Sequence, residues 1–257
     1  MHIPFFTLAV ATGVALNPIL ASCAEDSKIK PQRLPSSFGV LLFPAFQALD
    51  VFGPLDALNL FSLQRQLKLS LIASTLDPVS TAPRSAAMNA FNSTFSESIL
   101  PTHTFDTAPP LDVLLIPGGL GTRSPDPFFD DHLAFIRARF PKLRYLITVC
   151  TGAHLAARAG VLDGRNATTN KRAWAEAPVH GPKVTWIAHA RWVADGKVWT
   201  SSGVSAGIDA LLAWVGEVYG VDRADDLALS MEYERHTDPS WDPFAEYYNI
   251  TDHLPSL

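Results

Sequence analysis

Apolar residues along this chain come in short unbroken runs that alternate with longer stretches of helical spacing. The first run is residues 38–43, Phe-Gly-Val-Leu-Leu-Phe, bounded by Pro44. A run so short and so apolar reads as a strand buried on both faces. Asp50-Val51-Phe52-Gly53-Pro54 then opens a helix through Phe61, with Asp50 at the position of an N-cap. Residues 67–73 and 112–116 are two further strands, the latter followed at once by Pro117-Gly118-Gly119-Leu120-Gly121. Helical spacing over 128–140 leads to a fourth strand at 145–149 and a helix over 152–160 that Gly160 terminates. Residues 184–186 form another short apolar run, and 190–193 and 197–200 form a hairpin-like pair across Asp195-Gly196. A long helix over 204–219 stops at Gly220, and a shorter one covers 224–233. Strands alternating with helices in this way predict an α/β fold, with a mostly parallel sheet between two helical layers.

The ends of the chain differ from this middle. Residues 1–24 contain no Asp, Glu, Lys or Arg, are apolar almost throughout 5–16, and end in Ala21-Ser22-Cys23-Ala24, as a cleavable signal peptide does. Pro4, Gly13 and Asn17-Pro18 break up the roughly 20-residue apolar helix that a membrane span needs. The expectation is a secreted or extracytoplasmic protein without a stable span, although Leu20-Ala21-Ser22-Cys23 also resembles a bacterial lipobox. A polar linker (25–37), one domain (38–234) and a C-terminal tail (235–257) follow. The tail carries Trp241, Phe244, Tyr247 and Tyr248, rings able to cover a neighbour or a pocket mouth. Glycosylation sequons begin at Asn92, Asn166 and Asn249. Asn249 is the best placed, and Asn166 the least, since it is expected to begin a buried strand.

Composition narrows the function classes. Of 257 residues 47% are hydrophobic and only 18% charged, which excludes a long disordered or polyelectrolyte segment. The net charge is −5 and no basic run is longer than Lys171-Arg172, so nucleic acid is not an expected partner. There are two cysteines, and Cys23 lies in the leader. Cys150 stands where the strand at 145–149 turns directly into a helix. Unpaired N–H groups and the dipole at a helix start favour a thiolate, and ligands of open α/β sheets gather at the carboxyl ends of strands. The plainer alternative is a small buried side chain filling a junction.

Four blocks in order then resemble the DJ-1/PfpI superfamily, above all its isocyanide hydratase-like, fungal ThiJ/PfpI branch. They are Leu41-Leu42-Phe43-Pro44 through Leu49-Asp50-Val51-Phe52-Gly53-Pro54; Leu111-Asp112-Val113-Leu114-Leu115-Ile116-Pro117-Gly118-Gly119; Val149-Cys150-Thr151-Gly152-Ala153 through Gly160-Val161-Leu162-Asp163-Gly164; and Thr200-Ser201-Ser202-Gly203-Val204 through Asp209. The resemblance implies a flavodoxin-like three-layer α/β/α sandwich, a homodimer, and a cysteine on a strained nucleophile elbow. It implies Cys150 as nucleophile, Asp50 as the acid beside it and Thr151 as the third catalytic residue. Backbone N–H groups at Gly119 and Thr151 would form the oxyanion-type donors, with Gly118, Gly119 and Gly152 shaping the substrate site. Repulsion between a carboxylate and a thiolate suggests one shared proton, with Asp50 protonated beside a Cys150 thiolate.

Two departures bear on substrate. The peptidase-like relatives have a histidine directly after the cysteine where this chain has Thr151, which matches the isocyanide hydratase pattern. Bacterial hydratases show Ala-Thr-Thr-His-Trp after the elbow helix, where this chain has Ala167-Thr168-Thr169-Asn170 and then Lys171-Arg172-Ala173-Trp174. His154 is expected to face the packing rather than the elbow, and 235–257 is not expected to hold the helix-turn-helix domain of related regulators. The implied activity is addition of water to an isocyanide, a small electrophile, with no metal or organic cofactor. The alternatives are another cysteine-dependent hydrolase or glyoxalase-type enzyme, or a non-catalytic redox-sensing or ligand-binding protein with Cys150 oxidised to sulfinate.

Overall fold

The computed structural model describes residues 33–125 and 127–255. The expected leader at 1–24, Cys23 with it, and most of the linker lie outside the described residues. The continuous apolar runs become the centre of one sheet. Its strands are β1 (Ser37–Leu41), β2 (Lys68–Ala73), β5 (His103–Thr104), β6 (Val113–Ile116), β7 (Tyr145–Val149), β10 (Trp192–Asp195) and β11 (Val198–Ser201). The order is β10-β11-β7-β6-β1-β2-β5, and every pairing except β10 with β11 is parallel. All four residues of β6 are buried, as a strand covered on both faces requires. Two small sheets lie outside this one: β3 (Val79–Ser80) with β4 (Ser98–Ile99), and β8 (Asn166–Ala167) with β9 (Thr185–Trp186).

On one face α1 (Ala48–Ser62), α5 (Ala206–Tyr219) and α6 (Val221–Ser230) pack together; on the other lie α2 (Asp130–Arg139), α3 (Gly152–Arg158) and the short α4 (Ala177–His180). A last helix, α7 (Pro243–Tyr247), belongs to the tail. The result is the expected flavodoxin-like sandwich. β1 pairs with β2 on one side and β6 on the other, so the chain reverses direction across the sheet at β1. That reversal opens a crevice at the strands' carboxyl ends, the usual ligand position in such sheets.

Several local expectations shift. The first helix begins at Ala48 with Gln47 as N-cap, so Asp50 lies in its first turn and does not cap it. The run at 184–186 forms the small β8–β9 sheet instead of joining the main one, and the hairpin strands sit one or two residues later than expected. Asn166 is exposed even though Ala167 beside it is buried, so burial does not set this sequon apart from Asn92 and Asn249, which are also exposed. The tail is fastened to the rest: His253 bridges to Trp186, Trp174 Nε1 donates to Thr251 O at 3.1 Å, and Arg191 N donates to Pro239 O at 2.7 Å. No described helix is long and apolar enough to cross a membrane.

A buried ion pair joins hairpin, helix and tail. Arg191 donates through Nε at 2.7 Å and Nη2 at 2.6 Å to Asp209 Oδ2, while Asp209 Oδ1 accepts from His236 N at 2.9 Å. Breaking such a pair leaves an uncompensated buried charge. Asp209→Ala is therefore expected to cost about 3–5 kcal/mol in chemical denaturation, and adding Arg191→Met should recover part of that loss.

Candidate active site

The strand β7 ends at Val149, and Cys150 follows with φ of 57°, in the left-handed region. This is a strained conformation for a residue with a side chain. It turns the chain sharply enough that α3 begins two residues later, at Gly152. Gly152 is needed there because a Cβ would come within 2.2 Å of Ile116 O. Cys150 N–H is shared between Ser201 O at 3.2 Å and Ser202 O at 3.0 Å, and Cys150 O accepts from Thr169 Oγ1 at 2.8 Å. The elbow is thus clamped from β11 and from the segment after β8.

Asp50 comes to the same place from α1 and is fully buried. Its Oδ2 accepts from Gly118 N at 2.9 Å, its Oδ1 has no hydrogen-bond partner, and the carboxyl lies near enough to the Cys150 thiol for each to influence the other's ionisation. Gly118 must lack a side chain, since a Cβ would lie 2.6 Å from Thr151 N and 3.0 Å from Asp50 Oδ2. Around the sulfur stand three donors: the N–H groups of Thr151 and Val204 and the Asn170 side chain. Asn170 Oδ1 accepts from Ala173 N at 3.2 Å, an arrangement that leaves its amide nitrogen as the end available to the sulfur. Val204 reaches its position with φ of 28°, a second strained residue in the same small region.

The other expected donor is arranged differently. Gly119 N–H donates to Thr151 Oγ1 at 3.0 Å, and Thr122 Oγ1 is 3.1 Å from the same hydroxyl. The Thr151 hydroxyl therefore ties the Gly118-Gly119 turn to the elbow, while the Thr151 backbone faces the sulfur. Asn170 and Val204 were not singled out for a role on sequence. The signal for Asn170 was its place where bacterial hydratases carry histidine.

Burial decides the charges. It lifts the Asp50 carboxyl from the ordinary 3.8 to about 7, against the lowering effects of Gly118 N–H and the thiol. Burial, then the charge of Asp50, pushes the Cys150 thiol up to about 12, although Thr151, Val204 and Asn170 all favour the thiolate. Both groups are pushed toward their protonated forms, so near neutral pH the buried pair carries one proton between them.

Cys150 lies in a cavity of about 650 Å3, with Thr151, Gly119, Asn170 and Val204 around it and Phe244 and Tyr248 of the tail among its walls. Phe128 and Trp174, which could have plugged it, do not line it. Lys171, Arg191 and Arg123 also line the cavity, paired with Asp242 (3.4 Å), Asp209 (2.6 Å) and Glu176 (3.0 Å) respectively. His154 does not line it; the ring is buried behind the elbow, and burial holds it neutral, with its pKa lowered to about 3.

A cysteine on a left-handed elbow at the carboxyl end of a parallel strand, beside a buried carboxyl, defines a thiol-centred site of the nucleophile-elbow class. The chain belongs to the DJ-1/PfpI family, whose sequence model matches residues 37–217. It is 36% identical over 197 residues to isonitrile hydratase of Pseudomonas putida, across 76% of this chain and 77% of the relative. It is 30% identical over 137 residues to the HTH-type transcriptional regulator GbdR of Pseudomonas aeruginosa, across 53% of this chain but only 36% of the regulator. A solved ThiJ/PfpI family protein from Pseudomonas syringae superposes with a TM-score of 0.61 at 29% identity, covering 89% of this chain and 87% of that one.

The raised thiol pKa makes a direct prediction. Iodoacetamide should alkylate Cys150 at pH 8 roughly two to three orders of magnitude more slowly than an exposed thiol, because so little thiolate is present. In Asp50→Asn the charge that opposes ionisation is gone, so alkylation followed by mass spectrometry should be faster than in the parent chain. An unchanged or slower rate would show that Asp50 does not act on the sulfur.

Proposed function

We propose that this chain is a cysteine-dependent hydratase that adds water to an isocyanide, R–N≡C, and releases the N-substituted formamide R–NH–CHO. The observation that carries this reading is the closeness of the elbow thiol to the buried Asp50 carboxyl. It occurs in a chain 36% identical to an isonitrile hydratase over most of both lengths.

The geometry suits each step. The ionised Asp50 takes the thiol proton as sulfur bonds to the terminal isocyanide carbon, then returns that proton to the same carbon, giving the thioimidate R–N=CH–S–Cys150. Water adds across the C=N bond, hydroxyl to carbon and proton to nitrogen, giving R–NH–CH(OH)–S–Cys150. The C–S bond then breaks while the hydroxyl proton passes through Asp50 to sulfur, which restores the thiol and frees the formamide. Thr151 N–H, Val204 N–H and the Asn170 amide stabilise negative charge on the sulfur as each bond forms or breaks. Thr151 in place of a histidine removes the second base that a peptidase-like dyad would need.

The pH dependence has a definite sign. Asp50 must be ionised to accept the thiol proton, and its pKa is raised to about 7. Below that pH the pair holds two protons and no base is present. kcat/KM for alkyl and aryl isocyanides is therefore expected to rise through about pH 7. Asp50→Asn should lose about 100-fold or more together with that limb, and Cys150→Ala should show only background. Formamide formation is the quantity to follow. Its absence above the Cys150→Ala background, combined with accumulation of Cys150 sulfinate under mild peroxide, would replace hydration by the redox-sensing alternative.

A further inference from the structure

Behind the elbow, outside the cavity lining, His154 of α3, Glu176 and His180 of α4 bring three ligand-type atoms within 4.8 Å of one another. His154 is the informative member. Its ring is 1% exposed, and its Nδ1 has no hydrogen-bond partner. Its Nε2 faces Thr169 Oγ1 at 3.2 Å, while that hydroxyl donates its proton to Cys150 O at 2.8 Å. A hydroxyl has one proton to give, so the imidazole supplies the N–H on Nε2 and Nδ1 is left as a bare lone pair.

That lone pair looks across 3.9 Å at Glu176 Oε2. Glu176 is half-buried, but the His154 lone pair is sealed from water and faces an acceptor, so it is left unsatisfied. A cation between them would bind both, and His180, whose ring centroid is 5.0 Å from that of His154, offers a third donor atom. We propose that His154, Glu176 and His180 bind a divalent transition-metal ion, and that two imidazoles and one carboxylate make zinc the preferred ion, with water completing the coordination. Metal–ligand bonds of about 2.0–2.2 Å require the three side chains to draw in by about an ångström. Glu176 and His180 are only half-buried and can do so, while His154 stays fixed.

The surroundings are those of a metal site. The Nε2–H of His154 is anchored by Thr169, and the second carboxylate oxygen of Glu176, Oε1, is held by Arg123 Nε at 3.0 Å, so both ligands are oriented from behind. Thr169 also connects the ion to the nucleophile, because its hydroxyl bridges the His154 ring and the Cys150 carbonyl. Binding would lock that chain and stiffen the elbow without placing a metal at the sulfur. The inference does not rest on the hydratase reading, and it departs from the expectation that no metal is bound.

The test uses the full chain carrying Cys23→Ala and Cys150→Ala, which removes both thiols as competing ligands, after EDTA treatment and dialysis. Calorimetric titration with zinc chloride should give one ion per chain, cobalt(II) should produce visible bands of low-symmetry coordination, and Tm should rise with zinc concentration. His180→Ala and Glu176→Gln should each weaken zinc binding at least about tenfold and abolish the Tm rise. His189→Ala, an exposed histidine elsewhere, should change neither. No zinc binding, or binding that survives both ligand substitutions, overturns the proposal.

Discussion

Cys150 sits in a backbone conformation that it would leave if its neighbours allowed, and the site exists because they do not. Its φ of 57° costs about 1–2 kcal/mol for a residue with a side chain. Its N–H is held by carbonyls of Ser201 and Ser202, and its C=O by the Thr169 hydroxyl. On the next turn Gly152 lies against the Ile116 carbonyl, closer than any Cβ permits. These restraints come from three different segments, each placed by its own strand: β11, β8 and β6. Two of these strands, β11 and β6, flank β7 in the parallel sheet, and the third belongs to the small β8–β9 sheet, so the elbow is held where the two sheets meet. Val204 at φ 28° shows the same strain shared with the facing loop.

Once the elbow is fixed, the electrostatics follow from burial. The pair Asp50 and Cys150 is almost wholly removed from water, and burial pushes the thiol pKa up against the donors given to the sulfur. The same burial brings the carboxyl to about 7, where it can both accept and return a proton near neutral pH. The arrangement found keeps one mobile proton between two groups, which an addition that ends with a new C–H bond requires.

The legible part of this structure was the part encoded in local runs. The four buried parallel strands, the helix after Cys150 and the long helix α5 can be read from apolar spacing, because each is a contiguous stretch whose burial depends only on the layers above and below. The meeting of Asp50, Gly118 and Cys150 was accessible only through resemblance, since no spacing rule joins residues from three strand ends. Asn170 and Val204 escaped for another reason. Asn170 follows a two-residue strand whose partner is β9, and Val204 acts through its backbone, so neither carries a periodic signal. Glu176 and His180 stand four apart, a ligand-like spacing on a helix, but Glu176 ends a 3-10 segment whose orientation toward His154 is a tertiary matter.

The tail supplies one part of the cavity wall and no part of the elbow. Its fastening depends on long-range contacts, above all the buried Lys171 ammonium, which Thr168 Oγ1 and Ala190 O hold at 2.6 and 2.9 Å and which reaches Asp242 at 3.4 Å. Asp242 in turn caps α7 through Phe244 N at 3.0 Å, and α7 with the residue after it sets Phe244 and Tyr248 in the cavity wall. The reacting sulfur and its proton partner are therefore determined by strand ends within the family domain. Most of the cavity wall lies within the family match as well, and Phe244 and Tyr248 are the lining residues that come from beyond residue 217, where that match stops. A change at Phe244 or Tyr248 can consequently reshape one side of the cavity without touching the segments that hold the elbow, because neither residue is among the partners of the Cys150 backbone.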